Sequence, residues 1–388
     1  MFSKRTDWPL AENALTKKIS ELKNQNVQIL DLTESNPTQA GFSYPKEILS
    51  QLSHPNNLRY QPSSKGLPET REAIAQYYAE KKIAVDPEQI IVTASTSESY
   101  SYLFRLLTNP GDSILAPTPS YPLLNFLAGL NDVCLNHYPL QHVKGSWSID
   151  FTHLKLESDA KALIVVHPNN PTGSFVKSFE LERLNQFAKE GKCAIIADEV
   201  FLDYKLQKTL GAVPSFTANQ DALTFTLSGI SKILGLPQMK LGWIAVSGPR
   251  QLAKEAINRL EIVSDTFLSV NTPVQNAFKS WLPYQCVIQK EILARTLENR
   301  KTLETVGRES KAFELLSTEG GWYAILRIKK KIDEEKIAIG LLENHHVLLH
   351  PGYFFDFTRD SHLVVSLLPE KQIFNEGAKK TSHYLSRI

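Results

Sequence analysis

Apolar and polar positions follow two rhythms along this chain. Short continuous apolar runs end abruptly in polar residues, and between them lie stretches with apolar positions three or four apart. Runs of the first kind predict strands buried on both faces; stretches of the second kind predict the helices that cover them. Residues 10–25 carry Leu10, Ala14, Ile19 and Leu22 at helical spacing, and a short strand follows at 29–32. Residues 66–82 read as a helix opened by Gly66-Leu67-Pro68. Strands then alternate with helices: strand 90–94, helix 98–107, strand 113–116, strand 162–166, helix 179–190, and strands 193–197, 222–227 and 241–246. This alternation predicts an α/β fold, a three-layer α/β/α arrangement around a mostly parallel sheet. After a helical stretch at 249–263, residues 286–305 read as one long amphipathic helix rich in Glu, Arg and Lys, able to bridge two domains. The tail changes to fewer helices and short strands at 322–328, 347–349 and 363–367, which predicts a smaller α+β domain. The expected division is 1–40 as a segment joining the small domain, 41–285 as the large domain, and 286–388 as the small C-terminal domain with its linking helix.

Three of the predicted strands end in residues that carry chemistry. The run at 162–166 leads into His167-Pro168-Asn169-Asn170-Pro171-Thr172-Gly173, the run at 193–197 into Asp198-Glu199, and the run at 222–227 into Ser228-Gly229-Ile230-Ser231-Lys232. In an open α/β sheet the carboxyl ends of the strands are where ligands bind. A lysine there can form a Schiff base with a carbonyl, and an aspartate can hold a protonated pyridine nitrogen. Each piece alone has a plain reading: a turn, a helix cap, a solvated lysine. The ordered set Asn170, Asp198, Lys232 describes a pyridoxal phosphate site.

Composition narrows the field. With 388 residues the chain has room for one large and one small domain. Hydrophobic residues make up 42% and charged residues 22%, which is an ordinary soluble globular balance. A net charge of +2 argues against a broad nucleic-acid surface but leaves room for a local basic pocket that takes a phosphate. Cys134, Cys193 and Cys286 are far apart and in no metal-binding spacing, so neither a disulfide framework nor a metal site is expected. Residues 1–8 hold no long apolar stretch and no run approaches membrane-spanning length, so the expectation is a cytoplasmic protein with no membrane partner. No Gly-x-Gly-x-x-Gly or Walker lysine motif follows the first strands, which weakens a nucleotide-binding reading.

The motifs at 167–173, Ala197-Asp198-Glu199-Val200, and Ser231-Lys232 with Gly235-Leu236-Pro237 and Lys240-Leu241-Gly242-Trp243 resemble those of fold-type I pyridoxal phosphate enzymes of the aminotransferase class I/II family. The resemblance runs from Asp31-Leu32-Thr33 to the C-terminal strands and implies an aspartate aminotransferase-like fold with 41–285 as the cofactor-binding domain. It implies a transaminase moving an amino group between an amino acid and a 2-oxo acid through a Lys232 Schiff base. Lys232 would then shuttle the proton at the substrate Cα, and Asp198 would keep the ring nitrogen protonated. Asn170 would meet the ring's phenolic oxygen and Tyr121 would stack on the ring, or else be a packing tyrosine. Ser95, Thr96 and Ser97 would form an anion cup at a helix N-terminus, or simply cap it. Ser231 and Lys240 would add a hydroxyl and a charge, Lys240 standing where the family usually has arginine. Tyr60, in Arg59-Tyr60-Gln61-Pro62, resembles the tyrosine that crosses a dimer interface, which implies a homodimer with shared sites.

Two departures from the family pattern matter. Phe201 stands where a tyrosine usually shares the phenolic oxygen with the asparagine, so the imine nitrogen is expected to be more basic. Val364 stands at the place of the arginine that usually grips the substrate carboxylate, in His362-Leu363-Val364-Val365-Ser366-Leu367. Arg327 and Arg359 are the candidates to replace it, with surface arginine as the plain alternative for each. Ser35 takes the place of the usual glycine beside the cofactor, and Tyr323, after Gly320-Gly321, is a candidate for the substrate pocket. Two other outcomes stay open: a carbon–sulfur lyase or cyclising enzyme built on the same residues, and a non-catalytic homologue that only binds the cofactor.

Overall fold

The computed structural model describes residues 1–154, 160–328 and 330–388. Its largest sheet has eight strands in the spatial order Ile90–Thr93, Gly242–Ser247, Thr224–Gly229, Ala194–Asp198, Ala160–Val166, Ser113–Thr118, Cys134–Val143 and Ser146–Ile149. The five from Thr224–Gly229 to Cys134–Val143 are mutually parallel. Gly242–Ser247 runs antiparallel to both of its neighbours, and Ser146–Ile149 closes an antiparallel hairpin at one edge. The central strands have almost no exposed position, which is why their sequences read as unbroken apolar runs. Alternate residues feed the two faces. Ile164, Ile196 and Phe225 pack with Leu103 and Phe104 of the helix Thr96–Leu107 and Leu260 of the helix Arg250–Phe267. Leu163, Val165 and Ile195 pack with Leu184 and Ala188 of the helix Ser178–Gly191.

A second core lies around a four-stranded antiparallel sheet, in the order Glu314–Leu315, Tyr323–Ile328, Ser361–Ser366 and His350–Pro351. The N-terminal segment belongs to it: Leu30–Asp31 pairs in parallel with Val347–Leu348, and Leu15, Leu22 and Leu32 join Leu326, Leu341, Leu363 and Phe374. The helix Gln285–Ser310 serves both cores, with Ile288 and Ile292 in one and Leu303 in the other. Asn299 on this helix donates to the carbonyls of Leu367 and Pro369 at 2.9 and 2.8 Å, which fixes the helix against the smaller sheet.

Several elements differ from the sequence reading. The first helix is Ala14–Asn24, and Leu10 lies outside it, almost fully exposed. The hairpin Cys134–Val143 and Ser146–Ile149 was not anticipated, because its longer strand carries only one fully buried residue and so lacks an apolar run. The tail holds the helices Glu334–His345 and Lys371–Leu385, so it is richer in helix than the pattern suggested.

Candidate active site

Register brings the predicted residues together. Val166 pairs with Asp198, and Asp198 pairs with Leu227, so three adjacent parallel strands finish level with one another. The chain beyond each end supplies Asn170, Asp198 itself, and Lys232 in the single-turn helix Ile230–Ile233. All three line one cavity of about 270 Å³.

The turn that carries Asn170 is held by its neighbours. Buried His167 accepts from the Val176 amide at Nδ1 (3.0 Å), and its Nε2 lies 2.9 Å from the Val213 carbonyl. This assigns the ring proton to Nε2. Burial pushes His167 down to about 3, so the ring is a neutral strut. Gly173 closes the turn at φ +68, where a Cβ would lie 2.3 Å from the Gly320 carbonyl oxygen; only glycine allows that approach. Asn170 is buried, and its Oδ1 has no hydrogen-bond partner within the protein.

Asp198 Oδ2 accepts from the Tyr100 hydroxyl at 3.1 Å and Oδ1 from the Val200 amide at 3.1 Å. Burial pushes its carboxyl up to about 6, against the pull of those two donors and of Lys232. A cation placed on this carboxylate would return it to the ionised form. Lys232 is half-buried, and burial brings its amine down to about 8, opposed by Asp198. Its carbonyl accepts from the Tyr204 hydroxyl at 2.7 Å.

The helix Thr96–Leu107 points its N-terminus at the same cavity, where Ser95, Thr96 and Ser97 are lining residues together with Ser231 and Lys240. Ser95 Oγ caps the helix by accepting from the Glu98 amide at 3.2 Å, and Ser95 also lines the cavity. Lys240 occupies a left-handed turn at φ +55 after the 3-10 turn Pro237–Met239 and remains exposed. Tyr121 is 45% exposed and lines the cavity, so it is no packing tyrosine. Ser35 and Tyr323 line it too, and burial pushes the Tyr323 phenol up to about 12.

Other predicted residues stand elsewhere. Tyr60 is 76% exposed and lines a separate surface pocket with Gln61 and Ser63. Arg327 does not line the cavity: in the antiparallel ladder it lies opposite Glu314 and His362, and its Nη2 donates to Glu314 Oε2 at 2.6 Å. Arg359 is exposed and lines no part of the cavity. Neither arginine is therefore positioned as the carboxylate clamp expected from sequence. Val364 is fully buried in an apolar cluster with Trp147, Leu316, Ile325 and Phe355.

Tyr100 and the aromatic wall beside Lys232 were missed by the sequence reading. Tyr100 had a weak signal, one helical turn beyond Thr96 and on the same face. No cluster of His, Cys, Asp or Glu among the described residues could hold a metal ion, and no helix among them is long and apolar enough to cross a membrane.

The donor set fits pyridoxal phosphate. Asp198 is a half-buried carboxylate with no ion pair among the described residues, Asn170 is a buried amide on the cavity that the protein leaves partly unpaired, Lys232 is an amine with a lowered pKa, and a helix N-terminus with hydroxyls and Lys240 suits a phosphate.

Comparison with known proteins gives the following matches. The sequence profile of aminotransferase class I and II matches residues 27–374. Glutamate-pyruvate aminotransferase AlaA of Haemophilus influenzae is 31% identical, over 95% of this chain and 94% of its own. Alanine aminotransferase of Mycobacterium tuberculosis is 26% identical over 94% of this chain and 87% of its own. Among solved structures, alanine aminotransferase from Pyrococcus furiosus superimposes with a TM-score of 0.90 at 24% identity, covering the whole of both chains. A Thermus thermophilus aspartate aminotransferase double mutant gives 0.84 at 22%, covering 99% of each.

Proposed function

Because the chain belongs to aminotransferase class I and II, a family dependent on pyridoxal phosphate, we propose that it binds this cofactor through Lys232 and that the residues around the cavity divide the work as follows. The protein is an aminotransferase acting between an amino acid and a 2-oxo acid. When bound, pyridoxal phosphate supplies an aldehyde that an amino group can join and a ring that takes up the electrons left when Cα loses its proton. Lys232 Nζ is the attachment point and carries the proton to and from the reacting carbon. Asp198 keeps the proton on the ring nitrogen. Asn170 donates to the ring's phenolic oxygen, and Tyr121 covers a ring face. Ser95, Thr96, Ser97, Ser231 and Lys240 hold the phosphate. Ser35 and Tyr323 face the substrate.

Residues 41–285 form the large domain in this reading, with 1–40 and 286–388 composing the small one. Two copies associate, and Tyr60, solvent-exposed in its own chain, completes the phosphate site of the second copy. We place the enzyme in the cytoplasm.

One observation carries the proposal: the level ends of three adjacent strands put Asn170, Asp198 and Lys232 on a single cavity. That the similar proteins are aminotransferases favours amino transfer over elimination. The test is to load the purified protein with pyridoxal phosphate, reduce it with borohydride and map the modified peptide. The label is expected on Lys232. A panel of amino acids is then added without a keto acid. Transfer accumulates the aminated cofactor with one equivalent of 2-oxo acid, whereas continuous keto-acid release without a co-substrate would show elimination instead.

A further inference from the structure

Lys232 Nζ lies against two aromatic rings. The centre of the Trp322 ring is 5.2 Å from the amine and that of Phe201 is 5.6 Å away. The rings meet edge to face, with centres 5.2 Å apart and planes at 77°. Trp322 is fully buried, and its Nε1–H has no hydrogen-bond partner. Burying an indole N–H without an acceptor is unfavourable, so a hydrogen bond is not what this side chain contributes. What it presents to the site is the face of its ring.

Trp322 is held there by the backbone. The Leu206 amide donates to the Glu319 carbonyl at 2.9 Å, the Gly321 amide to Tyr204 at 2.8 Å, and the Leu367 amide to Trp322 at 2.7 Å. Gly320 permits the approach, since a Cβ there would lie 2.8 Å from the Tyr204 carbonyl oxygen. The Tyr204 ring packs edge-on to Trp322 at 4.8 Å, and the same tyrosine binds the Lys232 carbonyl. Tyr204 thus fixes the backbone of Lys232, while Trp322 and Phe201 border its amine.

We infer that Trp322, with Phe201, is a positioning residue for Lys232, its ring face holding the free amine as an ammonium ion at the cavity wall. The inference rests on the reading of Lys232 as the reactive amine. An electron-rich ring face attracts a cation, most strongly where water is excluded. The site needs such a device because burial otherwise drives Lys232 towards its neutral form. The charged group acting on Lys232 is Asp198; Lys240 lines the same cavity, and the neighbouring phenols of Tyr100, Tyr121, Tyr204 and Tyr323 are held neutral by burial. Glu199 is engaged elsewhere, accepting from Ser215 Oγ and the Phe216 amide.

The test measures how Lys232 titrates in the full-length, cofactor-free chain. Competitive acetylation over a range of pH, read by mass spectrometry of the Lys232 peptide, gives the midpoint. Trp322→Leu is expected to lower it by about one pH unit. Trp322→Phe, which keeps a ring face, is expected to lower it by less than half as much. Phe201→Leu is expected to lower it in the same direction. A midpoint that stays put or rises in Trp322→Leu would overturn the inference, because the ring would then only be excluding water. If circular dichroism shows that Trp322→Leu does not fold, Phe201→Leu and Trp322→Phe decide, and an unchanged midpoint in both overturns it. Failure of the parent reading looks different: borohydride would then fix the cofactor on a residue other than Lys232, whatever the midpoints.

Discussion

Asn170, Asp198 and Lys232 reach the cavity from the level ends of three adjacent strands, whereas Ser35 and Tyr323 reach it from segments far apart in the chain. The first group is rich in ionisable and hydrogen-bonding groups that oppose one another. Asp198 is pushed up and Lys232 pulled down by burial, and each restrains the other. The second group offers hydroxyls, with Tyr323 packed against the apolar cluster around Val364, and among the described residues no arginine lines the cavity. The difference teaches where each proposed task is placed. Proton chemistry needs fixed distances, which a sheet supplies. If Ser35 and Tyr323 face the substrate as proposed, substrate choice rests on a joint between distant segments, where one substitution changes the contact without disturbing the strands.

If the strand-end cluster is the chemical centre, damage there must far exceed damage at Ser35 and Tyr323. Lys232→Ala is expected to cut turnover by at least about a thousandfold, since it removes both attachment and proton transfer. Far-UV circular dichroism should show the fold intact, and near-normal turnover would remove the centre altogether. Asp198→Ala is expected to keep the cofactor bound, seen by absorbance, and to lose about a hundredfold in rate. A rate close to that of the unmodified protein would show that the ring nitrogen does not depend on this carboxylate.

Tyr60 extends the comparison to a second copy. Mixing Tyr60→Ala with Lys232→Ala protein under conditions that exchange subunits should give hybrids with one intact site. Activity should rise to about a quarter of the unmodified level, the statistical share of intact sites in a dimer. No recovery, or a monomer by sedimentation, would confine the site to one chain.

The strand-end cluster was legible because each of its residues lies at or within five residues of the end of an apolar run, and a run that ends in polar residues marks a strand end without knowledge of any partner. That rule located the three segments; the ordered Asn170, Asp198 and Lys232, and the resemblance they carry, singled out the residues. Ser35 and Tyr323 were legible as well and line the cavity, but an arginine to hold a substrate carboxylate was not, because its placement depends on packing between segments far apart. Arg327 was a reasonable candidate by position, but its strand register turns it to Glu314. Trp322 reads in sequence as the start of a buried strand, and its place beside Lys232 appears only once residues 204–206 and 319–321 are joined. The hairpin at Cys134–Val143 escaped for a different reason: a strand with a single fully buried position leaves no apolar run to find.

The opposed shifts at the strand ends predict a pH signature in the cofactor-free protein. Asp198 rises from 3.8 to about 6, so its contribution to stability is fully present below 3.8 and lost as pH rises through 6. Lys232 falls from 10.5 to about 8, so its contribution is present above 10.5 and lost as pH falls through 8. Between about 6 and 8 both are charged in a half-buried site, and their joint contribution to stability is lowest. Relative to a Lys232→Met, Asp198→Asn double variant, the unmodified chain should therefore show a trough over that window at least about 1 kcal/mol deep in urea melts. A flat difference would mean that the pair is solvated in the absence of cofactor.

The smallest effects test Ser35 and Tyr323. A substrate carboxylate brought into this cavity needs donors, because burying it unpaired is too unfavourable. Among the described residues Lys232 and Lys240 are the cations on the lining, and both are assigned to the cofactor. Ser35 and Tyr323 add hydroxyls there that can turn toward an anion. A hydrogen bond to a charged acceptor contributes about 1.5–3 kcal/mol. Tyr323→Phe is therefore expected to raise KM for the amino acid about tenfold, equivalent to about 1.4 kcal/mol, with a smaller change in kcat. Ser35→Ala should act in the same direction and less strongly, since the phenol remains. Arg327→Ala and Arg359→Ala should each change KM by less than about twofold, because the first is tied to Glu314 and the second faces solvent. A tenfold rise in KM for either arginine variant, with Tyr323→Phe unchanged, would mean that the chain closes on its substrate in an arrangement that brings that arginine to the cavity, and the division between the two groups would have to be redrawn around it.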